Sequence, residues 1–369
     1  MAGNWKFFLT ALFFAITQFS WAQTDQLEAF SDPSRIWGNG IERVIEEAYR
    51  RCFRTKIIGG RVINIRLPFA VNNDRDTLLE SDLEFFEGGK ASPEMLWAAI
   101  EEILGSEDFM EYIAALSSGR ERVLIFDIPG RSWSVSVDPF DIARMKAGSY
   151  RGLPHRPYVL ISGRGALESD VYNYLYCIGR IGMDCSGFVW HILSYIGSQG
   201  GIDLGRTLGP TLGVPRGADP SQYVGTAFFN SRSSQIIAVN DEIRNLRPAD
   251  IILFRDIEGV ITHSAIIQSI NFRRGIIRYL QCNNVAPLDE RGVHESFIHF
   301  DPANTAVSLT NPSLYWTQIR FAPFLGEEDT PFADDGERYR YNSVNGRGRV
   351  VRIRALTPAI ERINRQAGN

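Results

Sequence analysis

Cys185 stands in a sequence setting that favours a nucleophilic thiol. It belongs to the run Asp184-Cys185-Ser186-Gly187, which is followed by apolar residues at helical spacing. Asp184 is a good helix N-cap, so the thiol would lie in the first turn of a helix. There the helix dipole and unpaired backbone N–H groups favour the thiolate, and the same N–H groups could stabilise a tetrahedral oxyanion. The segment therefore predicts nucleophilic catalysis by Cys185.

His263 is the candidate base for this thiol. Residues 246–254 indicate a turn that leads into an apolar strand, and a second apolar strand over residues 261–267 carries His263 near its start. An imidazole in a buried strand needs a polar partner. Because a positioned imidazole can take the proton from a thiol, we expect Cys185 and His263 to act as a pair.

Three segments together resemble one known family. The run at residues 184–189, then Pro248-Ala249-Asp250-Ile251, then His263 are similar to the motifs of the NlpC family of papain-like cell-wall cysteine peptidases. The resemblance covers roughly residues 170–285, and Ala249 stands where the family usually has glycine. It implies an α+β fold in which the helix of the nucleophile packs on an antiparallel sheet that supplies the base.

The resemblance also implies a third polar residue, on the strand after His263, that orients the imidazole through its other nitrogen. Gln281 occupies the matching position in the predicted strand over residues 275–283. Asn283 lies two residues on, on the same face of that strand, and is the second choice. The substrate contacts that the resemblance implies are Tyr174, Asp184 and Ser186.

The function that the resemblance implies is hydrolysis of peptidoglycan stem peptides between D-glutamate and the diamino acid, without a metal or cofactor. Protonation of His263 should then inactivate the enzyme at low pH, and a flat profile between about pH 5 and 8 would contradict this. One alternative is an amidase or acyltransferase with the same triad. Another is a non-catalytic envelope-binding protein whose cleft is closed by residues 198–240 or by a disulfide from Cys185 to Cys282 or Cys177.

Composition excludes several other classes. Of the 369 residues 44% are hydrophobic and 22% charged, which is typical of a globular protein with a sizeable core. A formal net charge of −4 argues against a general nucleic-acid binder. The four cysteines lack CxxC spacing, and His294 and His299 are five residues apart, unlike the four of a helical zinc-peptidase motif. If Cys185 is a free thiol, the other cysteines allow at most one internal disulfide.

Residues 1–22 have the features of a secretory signal peptide. An apolar run over residues 7–16 follows Lys6, and Ser20-Trp21-Ala22 places small residues at the cleavage site. We therefore expect a mature chain from Gln23 in the periplasm or outside the cell. The alternative is a membrane anchor, although this run is shorter than the ~20 residues that a spanning helix needs.

The rest of the chain suggests three regions. Residues 23–150 would form an accessory α+β region, with a helix from Ile41 to Phe53, another that begins at Ser92-Pro93 and closes at Gly105, and a hairpin around Pro129-Gly130. Residues 151–325 would form the catalytic domain, interrupted at 198–240 by a Gly- and Pro-rich loop that could be a lid, a restriction on the cleft or a disordered insertion.

Residues 326–369 would form a charged C-terminal extension. Acidic residues come first, several arginines follow, and Asn345-Gly346 suggests the turn of a hairpin. One interpretation is a contact surface for an acidic polymer such as teichoic acid or nucleic acid. The interpretation that we prefer is a solvated strand pair with arginines on its outer face, because the neighbouring acids offset the positive charge.

Overall fold

The structure is a computed structural model that describes most of the chain. The described residues are 38–69, 91–116, 122–127, 132–136, 158–161, 171, 174–175, 181–256, 258–283, 292–320, 330–333, 335–342 and 345–368. The predicted signal peptide and Cys177 lie outside these ranges. No helix within them combines the length and apolar character needed to cross a bilayer.

The chain is an α+β protein built around an antiparallel sheet. Its helices in chain order are α1 (Ile41–Arg50), α2 (Pro93–Leu104), α3 (Glu107–Leu116), α4 (Cys185–Gln199), α5 (Leu204–Leu212), α6 (Thr226–Phe229), α7 (Asp335–Tyr341) and α8 (Thr357–Ala367). Its strands are β1 (Phe53–Ile58), β2 (Arg61–Arg66), β3 (Arg122–Asp127), β4 (Ser132–Ser136), β5 (Tyr158–Ile161), β6 (Ile236–Val239), β7 (Ile251–Arg255), β8 (Ile261–Asn271), β9 (Ile276–Asn283), β10 (Gly292–His299), β11 (Tyr315–Arg320), β12 (Thr330–Ala333) and β13 (Arg349–Ile353).

The main sheet has eight strands in the order β12-β11-β10-β9-β8-β7-β13-β6. Alternation along the central strands gives it two buried faces. On one face Ile266 and Leu280 pack with helices α1, α4 and α8. On the other face Phe254 and Tyr279 form a second core with Tyr341 of α7. The strands that carry the candidate base and its partner therefore lie inside a sheet that is covered on both sides.

Helix α4 forms as the sequence predicts. The side chain of Asp184 accepts a hydrogen bond from the backbone N–H of Gly187, which satisfies one of the free donors at the start of the helix. Phe188, Ile192 and Ile196 recur at intervals of one turn and are buried. The predicted capped helix that begins with Cys185 is confirmed.

The N-terminal elements agree with the prediction except at one boundary. Ser92 caps α2 by accepting from the backbone N–H of Met95 at 3.3 Å, and Gly105 closes that helix. Strands β3 and β4 pair antiparallel, as the predicted hairpin requires. Helix α1 ends at Arg50, and Phe53 begins β1 instead of ending the helix.

A buried ion cluster joins α1 to the sheet. Arg278 of β9 contacts Glu46 of α1 with an Nη1–Oε2 distance of 2.5 Å and also pairs with Glu295 of β10. The three residues are 3–4% exposed, and the guanidinium lies over the ring of Tyr49 at 5.4 Å. The first helix of the predicted accessory region is therefore held directly against the sheet.

The prediction of a long loop at residues 198–240 is wrong. This segment contains α5, α6 and β6, and Asp203 caps α5 by accepting from the backbone N–H of Arg206 at 2.9 Å. Leu204 and Leu208 are buried under this helix. Glycine and proline lower helix propensity, but burial of the apolar residues outweighs that local preference.

The predicted strand pair at the C-terminus is also wrong. Residues 335–341 are helical, so Asn345-Gly346 does not join two strands, and β13 lies inside the main sheet between β7 and β6. Val350 and Val351 are buried on its two faces. Arg352 does not lie on a solvated outer face: its Nε and Nη2 atoms contact the buried carboxylate of Asp250 at 2.6 and 2.8 Å.

The turn before β7 shows why glycine would suit position 249. Ala249 has φ 72°, in the left-handed region that L-residues avoid at a cost of about 1–2 kcal/mol. Its N–H donates to the carbonyl of Ile267 at 2.8 Å, and the side chain of Asp250 accepts from the N–H of Arg247 at 2.8 Å. The hydrogen bonds of this turn fix the pairing of β7 with β8, and they hold Ala249 in its strained conformation.

Candidate active site

Cys185 lies at the first residue of α4, beside the start of β8. The side chain is 8% exposed, and Sγ is 3.8 Å from the backbone carbonyl oxygen of Thr262. The pairing of β7 with β8 is irregular at this point, because His263 pairs with Phe254 and Ile261 with Arg255. The carbonyl that the sulfur contacts belongs to Thr262, the residue between these two pairs. Cysteine and histidine thus approach the same short stretch of backbone.

His263 and Gln281 are in direct contact on the sheet face that carries the second core. His263 Nε2 and Gln281 Oε1 are 2.7 Å apart, and both side chains are almost completely buried. The imidazole also packs on Phe254, with ring centroids 5.4 Å apart. The contact to Nε2 leaves Nδ1 as the ring nitrogen that Gln281 does not contact. Sequence had placed these two residues on neighbouring strands, and the structure brings them together.

Asn283 lies behind this contact. Its Nδ2 donates to Gln281 Oε1 at 3.3 Å and to Glu337 Oε1 at 3.1 Å. Gln281 Nε2 in turn donates to Ser296 Oγ at 2.7 Å and to Glu337 Oε1. Of the two candidates for the third residue, Gln281 is the one whose side chain meets the imidazole, and Asn283 supports it.

Burial controls the charge of His263. Loss of solvation lowers the pKa of His263 from 6.5 to about 3, the charges of Arg340 and His294 act in the same direction, and the hydrogen bond to Gln281 opposes them. The resting imidazole is therefore neutral through the whole neutral and mildly acidic range. Acid inactivation through protonation of His263 is therefore expected at a lower pH than the ordinary pKa of histidine would give.

We predict a pH dependence with two parts. Any reaction that uses His263 as base should keep its kcat/KM from pH 8 down to about 5 and lose it only as pH approaches 3. The unfolded chain binds this proton near pH 6.5, so the free energy of unfolding should fall as pH drops from about 6.5 towards 3. Urea unfolding and initial rates across this range measure the two effects, and an acid limb of kcat/KM near pH 6.5 would contradict the first.

The predicted substrate contacts are largely engaged within the protein. Ser186 Oγ donates to Asp184 Oδ1 at 3.0 Å, and both residues are buried. Tyr174 is 2% exposed, and its ring packs against Phe109 and Tyr112 at centroid distances of 5.0 and 4.9 Å. The ring of Tyr174 thus belongs to the core with α3, and a substrate contact by this residue stays a prediction.

No family model, curated protein or solved structure matches the chain.

The described cysteines near the site are not joined in disulfides. Cys52, Cys185 and Cys282 are free thiols, so the predicted alternative of a Cys185–Cys282 disulfide is wrong for this structure. Cys282 is fully buried, its Sγ lies 3.1 Å from the carbonyl oxygen of Met183, and burial raises its pKa well above the usual range. Cys282 is thus a poor nucleophile, whereas Cys185 lies at a helix N-terminus.

Within the described ranges, no group of three or more His, Cys, Asp and Glu side chains is arranged to hold a metal ion. His294 and His299 lie on strand β10 instead of a helix. A cavity of about 550 Å³ lies on the far side of α4, where His191, Ser194 and Asp203 contribute to its lining. That cavity contains neither Cys185 nor His263, so it is separate from the candidate site.

Sequence reasoning missed the contribution of α7. This helix brings Glu337 into the second core at 0% exposure and places Arg340 Nη2 3.3 Å from Thr262 Oγ1. The available signal was the spacing of Glu337 and Tyr341, which lie one helical turn apart and are both buried. A charged stretch ordinarily indicates a solvated surface. For that reason the spacing of Glu337 and Tyr341 was not interpreted as a buried helix face.

Proposed function

We propose that this chain is an exported cysteine hydrolase of the papain-like NlpC type that cuts peptidoglycan stem peptides between D-glutamate and the diamino acid. The single observation that carries the proposal is the buried contact of His263 Nε2 with Gln281 Oε1, on the strand whose backbone Cys185 touches. The motif at residues 184–187 and the packing of α4 on β8 and β9 support the same family.

The proposed reaction begins with proton transfer from Cys185 Sγ to Nδ1 of His263. The thiolate attacks the peptide carbonyl and forms a tetrahedral oxyanion beside the N–H groups of the first turn of α4. Collapse breaks the C–N bond as the imidazolium gives its proton to the leaving amine. Water, deprotonated by His263, then hydrolyses the thioester and restores the free thiol. Gln281 holds the imidazole throughout by its contact with Nε2.

The decisive test compares the mature wild-type protein with Cys185→Ala on purified wall fragments. We expect new fragments from the wild type and a loss of at least about 10³-fold in the variant, because the covalent intermediate needs the sulfur. Liquid chromatography with mass spectrometry measures the products, and their masses identify the bond. The matched control is Cys52→Ala, which removes another buried free thiol and should leave hydrolysis within about twofold.

The same experiment separates the competing functions. Cleavage or transfer at a different amide or ester would indicate an amidase or acyltransferase with this triad. Release of fragments by Cys185→Ala at the wild-type rate would refute the cysteine mechanism. No release by either protein, together with an iodoacetamide-resistant Cys185, would favour an envelope-binding protein on the same fold.

A further inference from the structure

We propose that Glu337 is a positioning residue that fixes Gln281, and through it the tautomer of His263, so that the imidazole offers an unprotonated Nδ1. The inference rests on the proposed function insofar as His263 acts as a base. Glu337 lies on α7, outside the sequence region that resembles the NlpC family.

The first support is the set of groups around the carboxylate. Tyr279 Oη, Gln281 Nε2 and Asn283 Nδ2 all donate to Glu337. These residues are two apart along β9, so their side chains project from one face of the strand towards α7. Each of the three groups can donate a hydrogen bond, which is what an ionised carboxylate requires. Three neighbouring side chains of one strand are thus oriented by a single acid.

The second support is that the carboxylate selects the orientation of the amide, both directly and through Asn283, whose Nδ2 donates to Glu337 and to Gln281 Oε1. Gln281 Nε2 also contacts Ser296 Oγ at 2.7 Å, but a hydroxyl both donates and accepts and would satisfy either end of the amide. A carboxylate only accepts, so it draws Nε2 of Gln281 towards itself. Oε1 must then face His263, and an amide oxygen accepts only from a protonated Nε2. The neutral ring therefore keeps its hydrogen on Nε2 and leaves Nδ1 bare.

The third support is the burial of the Glu337 carboxylate. Glu337 is 0% exposed, and burial of an acid is costly unless donors compensate for it. A purely structural position could be filled by an apolar residue at no such cost. Placed behind Gln281, the negative charge also stabilises the imidazolium that forms during the reaction, as a carboxylate behind a catalytic histidine does. It opposes the burial that makes this imidazolium unfavourable.

The test uses 15N-labelled full-length protein and the variants Glu337→Ala and Glu337→Gln. In the wild type, the ring nitrogens of His263, assigned by their absence in His263→Ala, should show one tautomer with hydrogen on Nε2. Glu337→Ala should give a mixture of tautomers. Alkylation of Cys185 by iodoacetamide, followed by mass spectrometry of its peptide, and kcat on wall peptides should both fall about 10- to 100-fold, with KM nearly unchanged.

Glu337→Gln keeps the shape and one acceptor oxygen, so it should hold the tautomer but slow alkylation about tenfold through loss of the charge. The matched control is Asp241→Asn, which alters another buried acid that holds α7, through Tyr341 Oη at 3.0 Å, without touching Gln281. It should leave both readouts unchanged, and an equal slowing in this control would overturn the inference.

A single wild-type tautomer in Glu337→Ala would also overturn the inference. If the alanine variant does not fold, the glutamine variant decides, because wild-type alkylation in it would equally refute a role for the charge. Neither spectroscopy nor alkylation uses a substrate. Failure of the protein to cut wall peptides would therefore count against the proposed function and leave the result on Glu337 standing.

Discussion

The His263→Ala variant should hydrolyse wall peptides about 10³-fold more slowly than the wild type, with KM nearly unchanged. General acid–base catalysis by a positioned side chain accounts for about 10²- to 10⁴-fold in rate, and His263 is the imidazole beside the backbone that Cys185 contacts. Without it no group takes the proton from the thiol or returns it to the leaving amine. Initial rates on purified stem peptides at pH 7 measure the effect.

Another buried histidine supplies the matched control for this variant. His299 lies on β10, its Nε2 contacts Thr317 Oγ1 at 2.9 Å, and burial lowers its pKa to about 4. His299→Ala therefore removes a similar volume from the same sheet at a position outside the candidate site. It should keep nearly all of the activity. Activity above a tenth of wild type in His263→Ala would show that another group is the base.

The Arg278→Met variant should lower the free energy of unfolding by about 3–5 kcal/mol. Arg278 neutralises both Glu46 and Glu295 in a setting where the three side chains are 3–4% exposed. Methionine fills much of the space but leaves two buried carboxylates without their cation. Urea unfolding of both proteins at pH 7 measures the loss.

The sign of the pH effect distinguishes this cause from a simple packing defect. Two unpaired buried carboxylates bind protons more readily in the folded variant than in its unfolded chain, so the deficit should shrink as pH falls. The triple variant with Glu46→Gln and Glu295→Gln should recover part of the stability. Lys56→Met, which breaks the exposed pair with Glu101, should cost less than about 1 kcal/mol. A deficit that persists unchanged in the triple variant would contradict the electrostatic explanation.

Local signals explain what the sequence could predict. A capping carboxylate at Asp184 and apolar residues at helical spacing determine the start of α4 without reference to the rest of the chain. Two-residue alternation similarly places Gln281 and Asn283 on one face of β9. The choice between Gln281 and Asn283 needed the structure, because both side chains lie on the same face of β9. They differ only in their position along the strand.

Pairing between distant segments explains the parts of the fold and of the candidate site that the sequence could not predict. Nothing near residues 349–353 indicates that this strand inserts between β7 and β6, since its arginines resemble those of an exposed strand. Its buried residues alternate with Arg352, whose charge is balanced by Asp250 from a turn far away in sequence. Glu337 was missed for the same reason, because a charge becomes compatible with burial only through distant partners.

The position of β13 has a consequence for the order of events during synthesis. Val351 pairs with Ile251, a separation of 351 minus 251, or 100 residues, and on its other side with Ala238. A ribosome releases β6 and β7 long before the strand that joins them, so both edges stay open until then. Closing so long a loop is slow. The growing chain therefore carries Cys185 and His263 before Glu337 is available to contact Gln281, and the hydrogen bonds around the candidate site are completed only when the C-terminal part of the chain has been made.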